Sequence, residues 1–307
     1  MRRIVVSAKA SAHLGDRLWL QCVMAPFRQY SFSATGIRSL CWRGYELVDW
    51  VGGGRAFALD GTERRASVRY ACRFDAATAS PDGRVAVIYE RLGTKGVVLK
   101  DGETLRQIDR SFYHANAYEY PVALFHEPSG RLLLAHCPKS YCAIELEEAE
   151  TGRPLTAAAE REPCDFFHSR LAASPHGKRL LSAGWAWHPL GIVACFDVAH
   201  ALADPHHLDH GDRVSPYSGW VCLAEEASAC WLDDDRIAVG ASDEPEDPEV
   251  VREARDEVGE EGIRSCGLAV YDLASRRCLR TFRLPEQPGT ILPVGRHQSS
   301  LSTAIQN

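Results

Sequence analysis

The sequence predicts an all-β protein, a β-propeller of about six to seven four-stranded blades, from three observations. First, residues 78–108 show the pattern of three consecutive antiparallel strands joined by tight turns. In the first turn Pro81 fixes φ and Gly83 accepts a positive φ, and an apolar strand follows. Second, the same turn and strands recur along the chain. Third, the recurrence has a nearly fixed period, which is typical of propeller blades.

The spacing of the turns gives the period. Gly83, Gly130 and Gly177 are 47 residues apart, and the next interval, to Asp235, is 58 residues. An apolar strand follows each turn, and a second strand that ends near an acidic residue follows the first. A β-sandwich is the alternative fold, but a sandwich predicts no such period. The four turns occupy residues 80–83, 127–130, 174–177 and 232–235.

These repeats resemble the degenerate repeats of the WD40/YVTN-like β-propeller families over residues 36–295. The turn at residues 80–83 corresponds to the first hairpin of a repeat, and residues 270–277 stand where a WD repeat carries its Trp-Asp and the turn after it. The resemblance implies a propeller that acts as an interaction module for a protein or a peptide.

We expect a single domain over residues 1–307, with strands at residues 3–7 and 17–23. Residues 289–294 resemble the first strand of a blade that is left incomplete at the C-terminus. Either N-terminal strands complete the last blade, or the chain is a shortened relative of a seven-bladed propeller. The predicted blades are residues 36–70, 71–112, 113–160, 161–213 and 214–285, with 1–35 and 286–307 at the ring seam.

An acidic insertion interrupts the last predicted blade. Residues 243–261 contain ten acidic residues and two arginines, a net charge of −8. Asp247 and Pro248 are a favourable helix start, so we expect a short helical insertion here. Such a helix would dock a basic partner or lie on the blades; the alternative is a solvated excursion of a hairpin.

Composition limits the function. The net charge of −6 over 307 residues gives no basic surface, so we expect no nucleic-acid partner. No apolar run is long enough to span a membrane, and the apolar stretch after the basic N-terminus is too short for a signal peptide. Eleven cysteines, several within apolar strands, indicate buried thiols in a reducing compartment, so a cytoplasmic location is expected.

The expected binding surface follows from strand order. In a four-stranded meander the second-to-third turns and the links between blades share one face, and the chain's densest aromatic stretches fall there. The alternative is that these aromatic side chains cover the edges of blades. The predicted partner-binding residues are Tyr113, His114, Tyr118, Tyr120, Trp185, Trp187 and His188.

The sequence predicts no catalytic residue, no metal site and no cofactor. The histidine-rich residues 200–210 are expected to form a solvated loop between a third and a fourth strand, because their spacing matches no metal-binding helix. His168, Ser169 and His176 suggest a Ser/His pair, but no nucleophile-elbow motif accompanies them.

A non-enzymatic interaction or scaffold module is therefore the favoured function. The alternative is a propeller hydrolase or lyase with its site at the central channel. That function requires polar residues of several blades to converge on the axis. Equivalent positions at the ends of the second strands hold Glu90, His136, Trp185 and Ser242, a mixture that does not resemble a set of metal ligands.

Overall fold

The described part of the chain is almost entirely β-structure, which confirms the all-β prediction for these residues. Its helices are a six-residue α-helix, α1 (Val198–Ala203), and a 3₁₀ helix (Pro205–Leu208). The expected helical insertion at residues 243–261 lies outside the described residues. The computed structural model describes residues 2–9, 27–65, 68, 70–71, 73–157, 160–186, 190–214, 229–240, 267–284, 291 and 302–306.

The strands of this part form six small antiparallel sheets, which we call the seam sheet and sheets 1 to 5. In sheets 1 to 5 neighbouring strands follow one another in the chain, so each sheet is a meander. The seam sheet consists of β1 (Arg2–Lys9), β2 (Phe27–Ala34) and β22 (Ser302–Gln306); sheet 1 of β3 (Cys41–Arg43), β4 (Glu46–Asp49), β5 (Arg55–Phe57) and β6 (Glu63–Arg64); and sheet 2 of β7 (Ala76–Ala79), β8 (Val85–Tyr89), β9 (Lys95–Lys100) and β10 (Glu103–Asp109).

The remaining sheets lie within or close to the predicted blade boundaries. Sheet 4 ends at Val214, one residue beyond the boundary at 213. Sheet 3 consists of β11 (Val122–His126), β12 (Leu132–His136) and β13 (Glu145–Glu148); sheet 4 of β14 (Phe167–Ala173), β15 (Arg179–Ala186), β16 (Leu190–Asp197) and β17 (Asp212–Val214); and sheet 5 of β18 (Ala229–Trp231), β19 (Arg236–Gly240), β20 (Gly267–Asp272) and β21 (Arg277–Arg283).

The seam sheet joins the two ends of the chain. β1 pairs antiparallel with β2 on one side and with β22 on the other. The expected N-terminal strand at residues 3–7 is therefore confirmed, and it shares a sheet with the C-terminal strand. The strand expected at residues 17–23 lies outside the described residues, as does most of the one expected at 289–294.

Consecutive sheets share their hydrophobic cores. Leu47 and Phe57 of sheet 1 pack with Ala34 of the seam sheet. Four further clusters of buried residues lie between sheets 1 and 2, 2 and 3, 3 and 4, and 4 and 5. The first strands of sheets 1 to 5 also contact one another in this order. Six small sheets packed in succession differ from a sandwich, in which two sheets enclose one core.

Sheet 3 departs from the predicted four strands. A single bridge between Glu147 and Pro154 stands where a fourth strand would pair with β13. The Glu148 N–H donates to the Arg153 carbonyl at 2.9 Å and the Leu155 N–H to the Leu146 carbonyl at 2.8 Å, but the Thr156 hydroxyl accepts the Leu146 N–H at 2.8 Å, so the backbone ladder stops there. The expectation of four regular strands is thus wrong for this sheet.

The repeated turns owe their glycines to backbone conformation. Gly83, Gly130 and Gly177 have φ values of 66°, 92° and 65°, a region that other residues avoid. At Gly177 a Cβ atom would lie 1.9 Å from the carbonyl oxygen of His126 in sheet 3, whereas at Gly130 it would meet nothing within 4 Å. Gly177 is therefore required both by its φ and by the packing of sheet 4 on sheet 3.

Exposed ion pairs lie across these turns at one end of the sheets. In sheet 2 the Asp101 N–H donates to the Arg84 carbonyl at 2.7 Å, and the Arg84 guanidinium donates to the Asp101 carboxylate at 2.9 Å. Arg179 and Asp235 join sheets 4 and 5 in the same way at 3.2 Å. We call this the turn end, which carries residues 80–84, 101–102, 127–130, 174–178 and 232–235; the opposite, loop end carries 90–94, 110–121, 137–144 and 165–166.

Candidate partner-binding surface

A buried arginine organises the link between sheets 2 and 3, residues 110–121, which we call the 2/3 link. Arg110 is only 4% exposed, and its guanidinium lies 4.5 Å from the ring centre of Tyr118 and 5.0 Å from that of Tyr120. It donates hydrogen bonds to the carbonyl oxygens of Gly93 at 2.6 Å, Ala115 at 2.7 Å and Tyr118 at 2.9 Å. Burial lowers the pKa of Arg110 from its usual value. One cation thus supports two loops and two aromatic rings.

Further hydrogen bonds fix the path of this link. The Ala115 N–H donates to the Phe112 carbonyl at 3.2 Å, and the Ala117 N–H donates to the His114 carbonyl at 2.8 Å. His114 has a φ of 49°, which is unusual for a residue with a side chain. The Glu119 N–H donates to the Ser169 hydroxyl of sheet 4 at 3.1 Å. The link is therefore held at both of its ends and in its middle.

This fixed link presents two aromatic side chains to solvent. Phe112 is 83% exposed and Tyr113 is 47% exposed. Leu92, on the adjacent turn between β8 and β9, is 54% exposed. Beside it, Arg91 and Glu119 form an ion pair at 3.6 Å. Apolar side chains exposed on an ordered backbone are the usual anchors of a binding surface.

Tyr113 lies beside a column of stacked rings, with its ring centre 6.0 Å from that of Phe167. Tyr113 and Tyr141 have ring centres 5.0 Å apart, Tyr141 and Phe167 4.2 Å, and Phe167 and Trp185 4.1 Å with an interplanar angle of 5°. His114 meets the Tyr113 ring edge-on at 4.6 Å. The residues come from the 2/3 link, the β12–β13 loop and the first two strands of sheet 4. We call Tyr113, Tyr141, Phe167 and Trp185 the aromatic column.

A carboxylate lies at the edge of the column, next to the Tyr141 hydroxyl. The Tyr141 hydroxyl donates to Asp165 Oδ1 at 2.6 Å, and Asp165 is exposed. Burial of the hydroxyl, together with this carboxylate, raises the pKa of Tyr141, so the phenol stays protonated and keeps donating at neutral pH. Asp165 is thereby held in a fixed position beside the rings.

The structure brings together four of the predicted partner residues and corrects two of the seven as buried. Tyr113, His114 and Trp185 meet in or against the aromatic column, and Tyr118 contacts Phe167 edge-on at 5.3 Å. Tyr118 and Tyr120 are each 1% exposed, so the expectation that they lie open on the surface is wrong, because both rings pack against Arg110.

Two further predicted residues, Trp187 and His188, lie outside the described residues. The prediction omitted Phe112, Tyr141 and Phe167. Tyr141 was detectable, since it occupies a second-to-third-strand loop, the kind of loop in which the sequence analysis expected the binding surface. Phe112 directly precedes Tyr113 in the same aromatic stretch, whereas nothing local marks Phe167, the first residue of β14.

The suggested Ser/His pair has a structural role. His168 Nδ1 lies 2.8 Å from the Ser182 hydroxyl and Nε2 lies 3.2 Å from the Cys142 carbonyl, and both His168 and Ser182 are buried. Burial lowers the pKa of His168 to about 3, so the neutral ring donates from Nε2 and accepts at Nδ1. His176 is at the turn end, 2.8 Å from Asp234. His168 and His176 therefore serve different sites.

The histidine-rich segment connects the third and fourth strands of sheet 4 as expected, and His200, His206 and His210 are exposed, but it contains α1 and the 3₁₀ helix rather than an irregular loop. Asp197 caps α1 by accepting the His200 N–H at 2.9 Å. The rings of His200 and His207 stack at 4.2 Å, and His207 Nε2 accepts the Asp197 N–H at 3.0 Å. Within the described ranges no three His, Cys, Asp or Glu side chains are grouped to hold a metal ion.

The residues compared for a channel site lie in different surroundings. Glu90 is exposed, whereas His136 is 3% exposed, with Nδ1 3.4 Å from the Tyr120 hydroxyl. Trp185 belongs to the aromatic column, and Ser242 lies outside the described residues. The three described positions therefore do not gather into one polar group.

A cavity of about 380 Å³ lies near the turn end of sheet 2, away from the column. Ile88 and Val97 line its apolar wall, and Glu103 and Thr104 its polar rim. The Tyr70 hydroxyl donates to the Gly102 carbonyl at 2.6 Å beside it. Its lining includes no residue of the aromatic column.

Comparisons with known proteins assign no family to the chain. No protein-family model matches it, and no curated protein matches it. Among solved structures it is similar to hydrazine synthase of Kuenenia stuttgartiensis, with 13% sequence identity and a TM-score of 0.46. The match covers 83% of this chain and 66% of the other, just under two thirds of its length. A likeness of this degree assigns no function. No helix of the described residues is long and apolar enough to cross a membrane.

Proposed function

We propose that the chain is a degenerate WD40/YVTN-like β-propeller of six blades that acts as a non-enzymatic interaction module. Its blades are the seam sheet and sheets 1 to 5, and pairing of N- and C-terminal strands in the seam sheet supports a closed ring. The successive contacts of the first strands support the same arrangement. In this proposal the protein lies in the cytoplasm, where the free thiols of its described cysteines stay reduced.

The partner is a protein or a peptide that binds the loop end. One observation carries this proposal: Phe112 and Tyr113 are 83% and 47% exposed on a link that Arg110 holds in place. Exposing aromatic rings to water is unfavourable, and such exposed rings commonly mark interaction sites. Because the backbone of this link is already fixed, binding does not have to pay the entropy of ordering the loop.

The test is capture of partners from an extract of the source cells by three forms of the intact protein. These are the unchanged chain, the double variant Phe112→Ala/Tyr113→Ala, and Tyr45→Ala. Tyr45 is 71% exposed in the β3–β4 turn, so this variant removes an exposed aromatic ring from the turn end. Circular dichroism and thermal unfolding establish that all three fold.

We expect a specific partner to be retained by the unchanged chain and by Tyr45→Ala and to be lost by the double variant. The identified partner is then purified, and its affinity for the double variant is expected to fall at least about tenfold, the effect of losing one anchor residue. Equal retention by the double variant, or loss by Tyr45→Ala alone, would show that the loop end is not the binding surface.

A further inference from the structure

We propose that Tyr113, Tyr141 and Asp165 form a subsite for a cationic side chain, an arginine or a lysine of the partner peptide. The inference rests on the proposed function, since it names the chemistry that the loop end recognises. It is carried by the juxtaposition of an accessible aromatic ring with a fixed, exposed carboxylate.

The aromatic half of the subsite is accessible and rigid. Tyr113 keeps 47% of its surface exposed although it contacts both Tyr141 and His114. The stacked rings of Phe167 and Trp185 support Tyr141 from behind. The face of an aromatic ring carries partial negative charge and attracts ammonium and guanidinium groups. A ring held in this way binds a cation without first losing rotamer freedom.

The acidic half is tied to the same rings. Asp165 is exposed, and its Oδ1 accepts the Tyr141 hydroxyl at 2.6 Å. Tyr141 in turn lies 5.0 Å from Tyr113, centre to centre, so the carboxylate and the accessible ring are joined through one side chain. A guanidinium can donate to the carboxylate while its plane packs on a ring, a combination that neutral and acidic side chains cannot make.

The charge around the subsite favours the same partner. Glu90 is exposed at the loop end, and two cations of this end are already paired, Arg91 with Glu119 at 3.6 Å and Lys139 with Glu145 at 3.2 Å. Negative potential attracts a basic peptide and repels an acidic one.

The experiment selects peptides from a random displayed library on the intact protein, with counter-selection on Phe112→Ala/Tyr113→Ala. Enriched peptides are synthesised with each arginine replaced by citrulline and each lysine by acetyl-lysine, changes that keep size and remove charge. Their dissociation constants are measured by fluorescence anisotropy for the unchanged protein, Asp165→Asn and Glu103→Gln. Asp165→Asn keeps an oxygen to accept the Tyr141 hydroxyl, and Glu103→Gln removes the same charge from an exposed position beside the β9–β10 turn.

We expect enriched peptides to carry an arginine or lysine whose neutral replacement weakens binding by about tenfold. In Asp165→Asn that difference should largely disappear, whereas Glu103→Gln should leave it unchanged. Added salt should weaken binding of the charged peptides only.

Enrichment of neutral or acidic peptides, or equal affinities of charged and neutral forms for the unchanged protein, would overturn the inference. Those peptides would still depend on Phe112 and Tyr113, so the proposed function would stand. Failure to enrich any peptide also overturns the inference, and the capture experiment then decides the proposed function separately.

Discussion

The connections at the two ends of the sheets are stabilised by different kinds of side chain. At the turn end short turns are closed by charged pairs such as Arg84 with Asp101, whose side chains are 63% and 55% exposed. At the loop end the long link between sheets 2 and 3 is held by Arg110, which is 4% exposed and donates hydrogen bonds to backbone carbonyls. The turn end thus directs its polar groups outward, while the loop end buries its cation and exposes Phe112 and Tyr113.

This difference suits the two ends to different roles, and we propose that only the loop end takes part in binding. Exposed ion pairs contribute little free energy and present water with a polar surface, so the turn end offers few groups that a partner would desolvate. The loop end keeps a rigid backbone under accessible aromatic rings, an arrangement that favours association. Four predictions, taken from the largest expected effect to the smallest, test whether the contrast between the ends is real.

Replacing Arg110 with methionine should have the largest effect. The change removes the donors of the Gly93, Ala115 and Tyr118 carbonyls, so we expect the free energy of unfolding to fall by about 4 kcal/mol. Urea unfolding measures this loss. Arg84→Met is the matched control at the turn end, and its free energy should stay within experimental error. Equal effects of the two changes would remove the contrast between the ends.

The pH dependence of stability should come next, through His168. Burial lowers its pKa to about 3 in the folded protein, against an ordinary value near 6.5 in the unfolded chain. The unfolded state therefore binds the proton first, so stability is full above about pH 6.5 and falls as the pH drops toward 3. Between pH 7.5 and 4.5 the loss should be about 3 kcal/mol.

The measurement is urea unfolding at a series of pH values for the unchanged chain and for His168→Gln. Glutamine can bond to Ser182 and to the Cys142 carbonyl without titrating, so the variant should lose most of the slope over this range, and a smaller slope should remain from His207, whose pKa is also lowered by burial. A variant with the same slope as the unchanged chain would show that another group carries the pH dependence.

Glycine substitutions in the repeated turns should separate backbone strain from packing. Gly177→Ala introduces both a strained φ and a Cβ 1.9 Å from the His126 carbonyl oxygen, and should cost about 2 kcal/mol or more. Gly130→Ala introduces the strained φ alone and should cost about 1 kcal/mol. Thermal and urea unfolding measure both, and a Gly130→Ala loss as large as that of Gly177→Ala would argue against contact between the turns of sheets 3 and 4.

The smallest effect belongs to a turn-end carboxylate. Partial burial alone would raise the pKa of Glu127, but hydrogen bonds from Ser129 and Arg131 outweigh it and lower the pKa to about 2. Glu127 therefore stabilises the fold above its ordinary pKa, and this stability is lost as the pH falls from about 4.5 toward 2. Glu127→Gln should show a shallower acid limb below pH 4.5 and no change between pH 7.5 and 5. A changed slope above pH 5 would contradict the assignment.

The sequence predicts most of the fold because the signals are local. The turn at residues 80–83 and the apolar strand after it are set by Pro81 and Gly83 and by β-propensity, which act within a few residues. For that reason the positions of sheets 1, 2, 4 and 5 follow from the repeat. Sheet 3 has no regular fourth strand because the Thr156 hydroxyl takes the Leu146 N–H that would extend the ladder, and a repeat pattern does not reveal such a single-residue effect.

The binding surface is less predictable because long-range contacts decide which aromatic rings are exposed. Tyr118 and Tyr120 belong to the same aromatic stretch of sequence as Phe112 and Tyr113. Tyr118 and Tyr120 are nevertheless buried, because their rings pack against Arg110. Phe167 joins the column only because sheet 4 packs beside the 2/3 link. Topology predicts that these aromatic residues share the loop end, whereas the burial of each ring depends on partners distant in the sequence.

The most direct test of the central claim is hydrogen exchange of the protein with and without its captured partner. We predict that binding slows amide exchange in residues 90–94, 110–120 and 137–144 and leaves residues 80–84, 127–130 and 174–178 unchanged. Protection confined to the turn-end segments would contradict the account, because it would show that the ion-paired end rather than the aromatic end meets the partner.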